Sequence, residues 1–177
     1  MKHIFNAGRG SFAFLLIFLL MILFLLWSCS QHESVRHLER KAWNPETKQQ
    51  LKMKYLTFDY FSRSSENKIE IQGTAQPRED ALPSWASWSK EIWLGAYLCD
   101  QEGQVLAQDV KVFSPRDIRD QAIEFQFELH PQHLGSPGAV YITYGYRLVL
   151  TRDPETDLDP ELKKQVFFAS ESALSRF

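Results

Sequence analysis

Residues 122–130 read AIEFQFELH, and the fold class turns on this stretch. Ile123, Phe125, Phe127 and Leu129 alternate with Glu124, Gln126 and Glu128. A period of two puts the apolar side chains on one face and the polar ones on the other, as in a half-buried β-strand. A helix would scatter both sets around its axis. Val140–Thr151 repeats the pattern over a longer run, with Val140, Ile142, Tyr144, Tyr146, Leu148 and Leu150 on one face. Aromatic and β-branched residues dominate both stretches, as strands favour.

The same period extends outward in both directions. Lys52–Phe61 aligns Leu56, Phe58 and Tyr60, and Lys68–Ala75 aligns Ile69 and Ile71; Ser62–Asn67 between them is a turn-rich link. Glu91–Cys99 turns Ile92, Leu94, Ala96 and Leu98 inward. Asp100-Gln101-Glu102-Gly103 is a hairpin turn, with Gly103 supplying the positive φ such loops need. Gln104–Phe113 returns with Val105, Ala107, Val110 and Val112, and its change of phase near Gln108–Asp109 predicts a bulge. His130–Gly138, with two prolines and two glycines, is a loop. Gln165–Ser170 is a last strand, unless Asp159-Pro160-Glu161 opens a helix there. About seven strands, each with one buried face, predict an all-β fold, an antiparallel β-sandwich over residues 51–177.

The chain has 177 residues, enough for one domain with a real core. Its two cysteines, Cys29 and Cys99, make no disulfide scaffold. Twenty basic side chains stand against 22 acidic ones. Nothing in that balance points to nucleic acid.

The N-terminus is of another kind. Met1–Gly10 carries Lys2 and Arg9 and no acid, and Phe12–Trp27 (FAFLLIFLLMILFLLW) is apolar throughout. Sixteen helical residues rise about 24 Å, short of the about 30 Å of a bilayer core. A basic start, an apolar core and small residues after it form a signal-peptide layout. Residues 1–28 are therefore a signal peptide or an uncleaved membrane-anchor helix. Cleavage after Ser28 would remove Lys2 and Arg9 and move the formal charge from −2 to −4. Residues 29–50, polar and charged with Trp43 the main apolar side chain, are expected to be a tether.

Leu26-Trp27-Ser28-Cys29 resembles the lipobox of bacterial lipoprotein precursors. Leu26, Ser28 and Cys29 match it, and Trp27 departs from it. The resemblance implies cleavage before Cys29 and a diacylglyceryl group on its thiol, with no other cofactor. It also implies a cell-envelope location facing the periplasm or exterior, at the outer membrane if the host has one, because Ser30 is not Asp. Lipid chains anchor at about 0.8 kcal/mol per buried methylene, and two or more hold stably. Trp93–Val105 (WLGAYLCDQEGQV) in turn resembles the strand–Asp–x–x–Gly–strand hairpin of Ig-like accessory domains in bacterial envelope proteins. That implies an Ig-like sandwich.

Chemistry-bearing residues are sparse. Asp153, Glu155, Asp157, Asp159 and Glu161 set carboxylates at alternate positions, but Leu158 stands where a calcium loop needs glycine. His130 and His133 have a zinc-like spacing, yet Pro131 breaks the helix that would align them. No metal site is expected. No G-x-S-x-G, phosphate-binding loop or H-E-x-x-H occurs, and Ser114 and Ser136 lack a nucleophile context, so no catalytic residue is assigned. Trp85, Trp88, Trp93 and Tyr97 form the candidate binding surface. Two of them sit in Gln76–Lys90, long for a structureless connection. Cys99, on the same alternation as Trp93, Gly95 and Tyr97, is a small hydrophobe or a free thiol. The expected function is a non-catalytic envelope lipoprotein that presents its sandwich to an envelope protein as an adaptor. The alternative is a carbohydrate or small-ligand binder using Trp85, Trp88 and Trp93.

Overall fold

The computed structural model describes residues 32–65, 67–119, 121–131, 139–154 and 165–176. Residues 1–28, expected to be a signal peptide or membrane anchor, Cys29 and most of the acidic stretch lie outside them. Every regular element among the described residues is a strand. In chain order these are β1 (His32–Ser34), β2 (Lys41–Ala42), β3 (Lys48–Lys52), β4 (Leu56–Ser65), β5 (Lys68–Pro77) and β6 (Trp88–Cys99). They continue with β7 (Val105–Phe113), β8 (Arg116–Asp117), β9 (Ile123–Leu129), β10 (Tyr141–Thr151), β11 (Phe167–Glu171) and β12 (Leu174–Arg176). One sheet runs β3-β4-β5-β9. The other runs β11-β10-β6-β7, with β2 added against β10 and β8 against β6, while β1 pairs β12. The pairings within the two larger sheets are antiparallel.

The alternation in 122–130 sets how the sheets meet. Ile123, Phe125, Phe127 and Leu129 are buried, and so are Ile142, Tyr144, Tyr146, Leu148 and Leu150 on β10. Phe58 on β4 stacks flat on Tyr144, with ring centroids 4.1 Å apart and planes within 4°. Phe125 approaches Tyr144 at 5.6 Å. The buried faces of the two sheets thus share one core. Each such large side chain contributes about 1.5–3 kcal/mol by leaving water.

All seven expected strands form, and five further short or polar ones join them. Those five have no readable period. β3, KQQLK, buries only Leu51 among its five residues. The expected strand Lys52–Phe61 breaks at Met53–Tyr55, where the Met53 N–H donates to the Leu56 carbonyl at 2.9 Å in a tight turn. β4 and β5 run on to residues 65 and 68, so the turn-rich link between them shrinks. The loop expected over Gln76–Lys90 narrows to 78–87 in the same way. The C-terminal alternative resolves as strand at Phe167–Glu171.

Two further expectations need correction. The bulge foreseen at Gln108–Asp109 is absent. The register shift falls at Leu98/Cys99, opposite 105–107. β7 keeps one phase beyond it, so Val110 and Val112 face outward, 44% and 74% exposed. The inward Asp109 instead accepts the Glu128 N–H at 3.0 Å, which ties the edge of one sheet to the other. The compact unit, moreover, starts at Glu33 and runs to Arg176. It therefore takes in most of the described part of the segment expected to be a tether. Val35 and Leu38 are buried, and the Trp43 indole donates to the Ser62 hydroxyl at 3.1 Å. Isolated apolar residues among charges carry no periodic signal; only distant partners bury them.

Hydrogen bonds fasten the ends. The hairpin after β6 turns as expected, with Gly103 at φ +80°. The Tyr146 hydroxyl donates to the Glu171 carboxylate and accepts the Tyr55 N–H at 3.0 Å. Glu171 also accepts the Lys54 N–H at 3.0 Å. These bonds pin the β3–β4 turn to β10 and β11.

Candidate functional site

The four aromatic residues singled out from sequence separate in the fold. Trp85, in the loop before β6, packs against the core as a partly buried side chain. Trp88 heads β6, opposite Thr151 and Asp117. Trp93 lies five positions on, about 16 Å along the strand, opposite Val112 and Arg147. Among the described residues no ring pair involves a tryptophan.

Tyr97 is only 3% exposed. Its ring lies over two glycines, Gly95 and Gly145; a Cβ on Gly145 would stand 2.9 Å from the ring edge. Burial pushes the Tyr97 hydroxyl up, and the Ala173 backbone hydrogen-bonds to it. At this end of the sheet the chain covers itself. The Thr143 hydroxyl donates to the Glu39 carbonyl at 2.6 Å, and the Arg40 guanidinium donates to the carbonyls of Asp100 and Gln101 at 3.3 and 3.2 Å.

The other end of the same outer face is open. Val112, Trp93, Arg147 and Ser170 are cross-strand partners in one row, and Val149 and Phe168 lie in the next. Val112 and Phe168 are 74% and 64% exposed. Arg147 reaches Glu91 at 3.4 Å, so its charge is engaged while its stem continues the apolar line. Trp93 is thus the one aromatic of the expected group set in an open apolar row. Val112 and Phe168 went unrecognised in the sequence, because valines alternating on β7 read as core. The missed signal was the phase: counted inward from Ala107 without a break, the valines fall outside.

Cys99 is free and buried. Burial pushes its thiol up to about 11, and its sulfur donates to the Tyr141 carbonyl at 3.6 Å. A thiol held protonated reacts slowly. In a Cys29→Ser chain, a thiol-specific reagent at neutral pH is expected to leave Cys99 unmodified until denaturant is added. Rapid labelling of the native chain would contradict this burial.

His130 is exposed, with its ring 3.9 Å from Glu128; His133 is outside the described residues. Among the described residues no group of three metal-ligating side chains assembles. Compared with known proteins, the chain matches no family model, no curated protein and no solved structure.

Proposed function

We propose that this chain is a non-catalytic envelope lipoprotein, lipidated at Cys29, that presents an Ig-like sandwich to a protein partner outside the cytoplasm. Support for export and lipidation comes from the basic start, the apolar run Phe12–Trp27 and Leu26-Trp27-Ser28-Cys29. The strand order supports the Ig-like form. β4-β5-β9 and β11-β10-β6 pair as the first, second and fifth and the seventh, sixth and third strands do in that architecture, while the fourth strand, β7, joins the second of these sheets instead of the first.

The observation that carries the docking role is the open apolar row. Exposed large apolar side chains set in line across neighbouring strands, rather than scattered singly, mark interaction surfaces. Exposed Val112 and Phe168 flank half-buried Trp93 and Val149 over two adjacent rows, and the charged Arg147–Glu91 pair between them suits the mixed character of interface edges.

Cross-linking in intact cells and affinity capture tests the role. The parent chain is expected to retain one defined envelope protein, and Val112→Lys with Phe168→Lys to lose it. Both sites are exposed, so stability should change by no more than about 0.5 kcal/mol each. Equal capture by parent and variant would defeat the docking surface. Anchoring is tested separately by radioactive palmitate. Label in the parent that vanishes in Cys29→Ser supports lipidation, and label that persists, or none at all, overturns it.

A further inference from the structure

The second sheet carries a different surface. On the outer face of the β3-β4-β5-β9 sheet runs an open groove of about 940 Å³, lined on one side by Lys111 and Phe113 of β7. Two neighbouring rows of cross-strand partners make its floor. One is Gln50, Asp59, Thr74 and Glu124; the other contains Phe61, Gln72 and Gln126. From β3 to β9 each row crosses three strand spacings, about 14 Å.

We propose that this groove binds a neutral glycan, independently of the docking row on the other sheet. Chemistry selects the ligand class. An amide side chain offers both donors and an acceptor, and a sugar hydroxyl is likewise both. Gln72, Thr74 and Gln126 have no side-chain hydrogen-bond partner among the described residues, so their capacity is open to a ligand. Gln50, by contrast, donates to Asp59 at 2.8 Å, which fixes one rim. Lys48 and Lys111 balance Asp59 and Glu124 around the groove, so it favours neither a polyanion nor a cation. Phe61, whose ring has one face under the Arg63 guanidinium at 5.2 Å, and the partly buried Phe113 line the groove and supply the remaining ring surface for the apolar face of a pyranose. The groove lacks the run of large apolar side chains that a lipid or an amphipathic helix would need.

Calorimetric titration of the full chain, held in a detergent without a sugar headgroup, tests the proposal. The probes are cellohexaose, maltohexaose and chitohexaose, with heparin as the charged comparison. At least one neutral hexaose is expected to bind with a dissociation constant of about a millimolar or tighter. Gln72→Ala with Gln126→Ala should weaken it at least about tenfold, while Glu102→Ala at the distant β6–β7 turn should leave it within about twofold. If the double variant loses its thermal unfolding transition, Thr74→Val and Gln72→Glu are each read against a threefold loss instead. Failure of all three hexaoses to bind, binding of heparin alone, or neutral-hexaose binding untouched by the glutamine variants would overturn the proposal.

Discussion

Above about pH 10 the protein is expected to lose stability by about 4–5 kcal/mol for each further pH unit and to unfold cooperatively. Four tyrosines cause it. Tyr60, Tyr97, Tyr144 and Tyr146 are all at most 3% exposed, and burial is the first cause pushing each hydroxyl above its ordinary value. In the unfolded chain each loses its proton near pH 10, while in the folded chain Tyr60, Tyr144 and Tyr146 keep it far above that pH and Tyr97 keeps it over a narrower range. The unfolded state therefore binds fewer protons above that pH, and stability falls as pH rises. The contribution is fully present below pH 10. Each group adds about 1.4 kcal/mol per unit, and Cys99, raised to about 11, begins the trend lower, near the ordinary thiol value. Against a total stability of about 5–15 kcal/mol, the midpoint should fall one to three units above pH 10. Circular dichroism and tyrosinate absorbance, followed together, check it. The two should rise as one transition. Tyr144→Phe should make the fall shallower without harming the fold at neutral pH, because the Tyr144 hydroxyl has no partner among the described residues. Tyrosinate appearing well before the dichroism changes would mean that the sheets do not seal these rings from water.

Replacing Phe58 by alanine should cost about 3–5 kcal/mol, a large share of the total. Phe58 is fully buried. Besides stacking on Tyr144, it meets Phe125 at 5.9 Å and Tyr146 at 6.4 Å. It thus joins β4, β9 and β10 at the point where the two sheets touch. Its removal loses transfer energy and leaves a ring-sized cavity that neighbours fixed in strands cannot close. Phe58→Leu keeps more of the volume and should cost distinctly less, while Phe168→Ala, on an exposed site, should fall within about 0.5 kcal/mol. Denaturant unfolding midpoints rank the three. A Phe58→Ala chain within about 1 kcal/mol of the parent would mean that the sheets are not held together through this stack.

Apart from Tyr97 and Cys99, both expectations begin in side chains whose burial was readable from period alone. Leu56, Phe58, Tyr60, Ile69, Ile71 and the alternating sets in 122–130 and 142–151 all lie inside, and Val140 is partly buried against them, because a strand has only two faces and water selects between them. The hairpin at Asp100–Gly103 was legible for a local reason too: Gly103 is one of the few residues at ease with its backbone angle. The candidate site was less legible. Trp93 stood out, but Tyr97 disappears beneath chain segments from both ends of the compact unit.

The amino-acid order by itself determined the all-β class, six of the seven main strands and the inward set of each of those six except β7, since each depends on neighbours two positions apart; it left β11 open between strand and helix. It also contains the apolar run and Cys29 on which the envelope reading rests. Tertiary structure alone decided the rest. Short polar strands such as β2 and β8 exist only because a longer strand offers an edge, and Val35 and Leu38 are buried only because the fold receives them. Whether Val112 lies in core or in water depends on where one register shift falls, and the amide-lined groove arises only when four separate strands are laid side by side. Such features depend on partners far apart in sequence, and no local period encodes them.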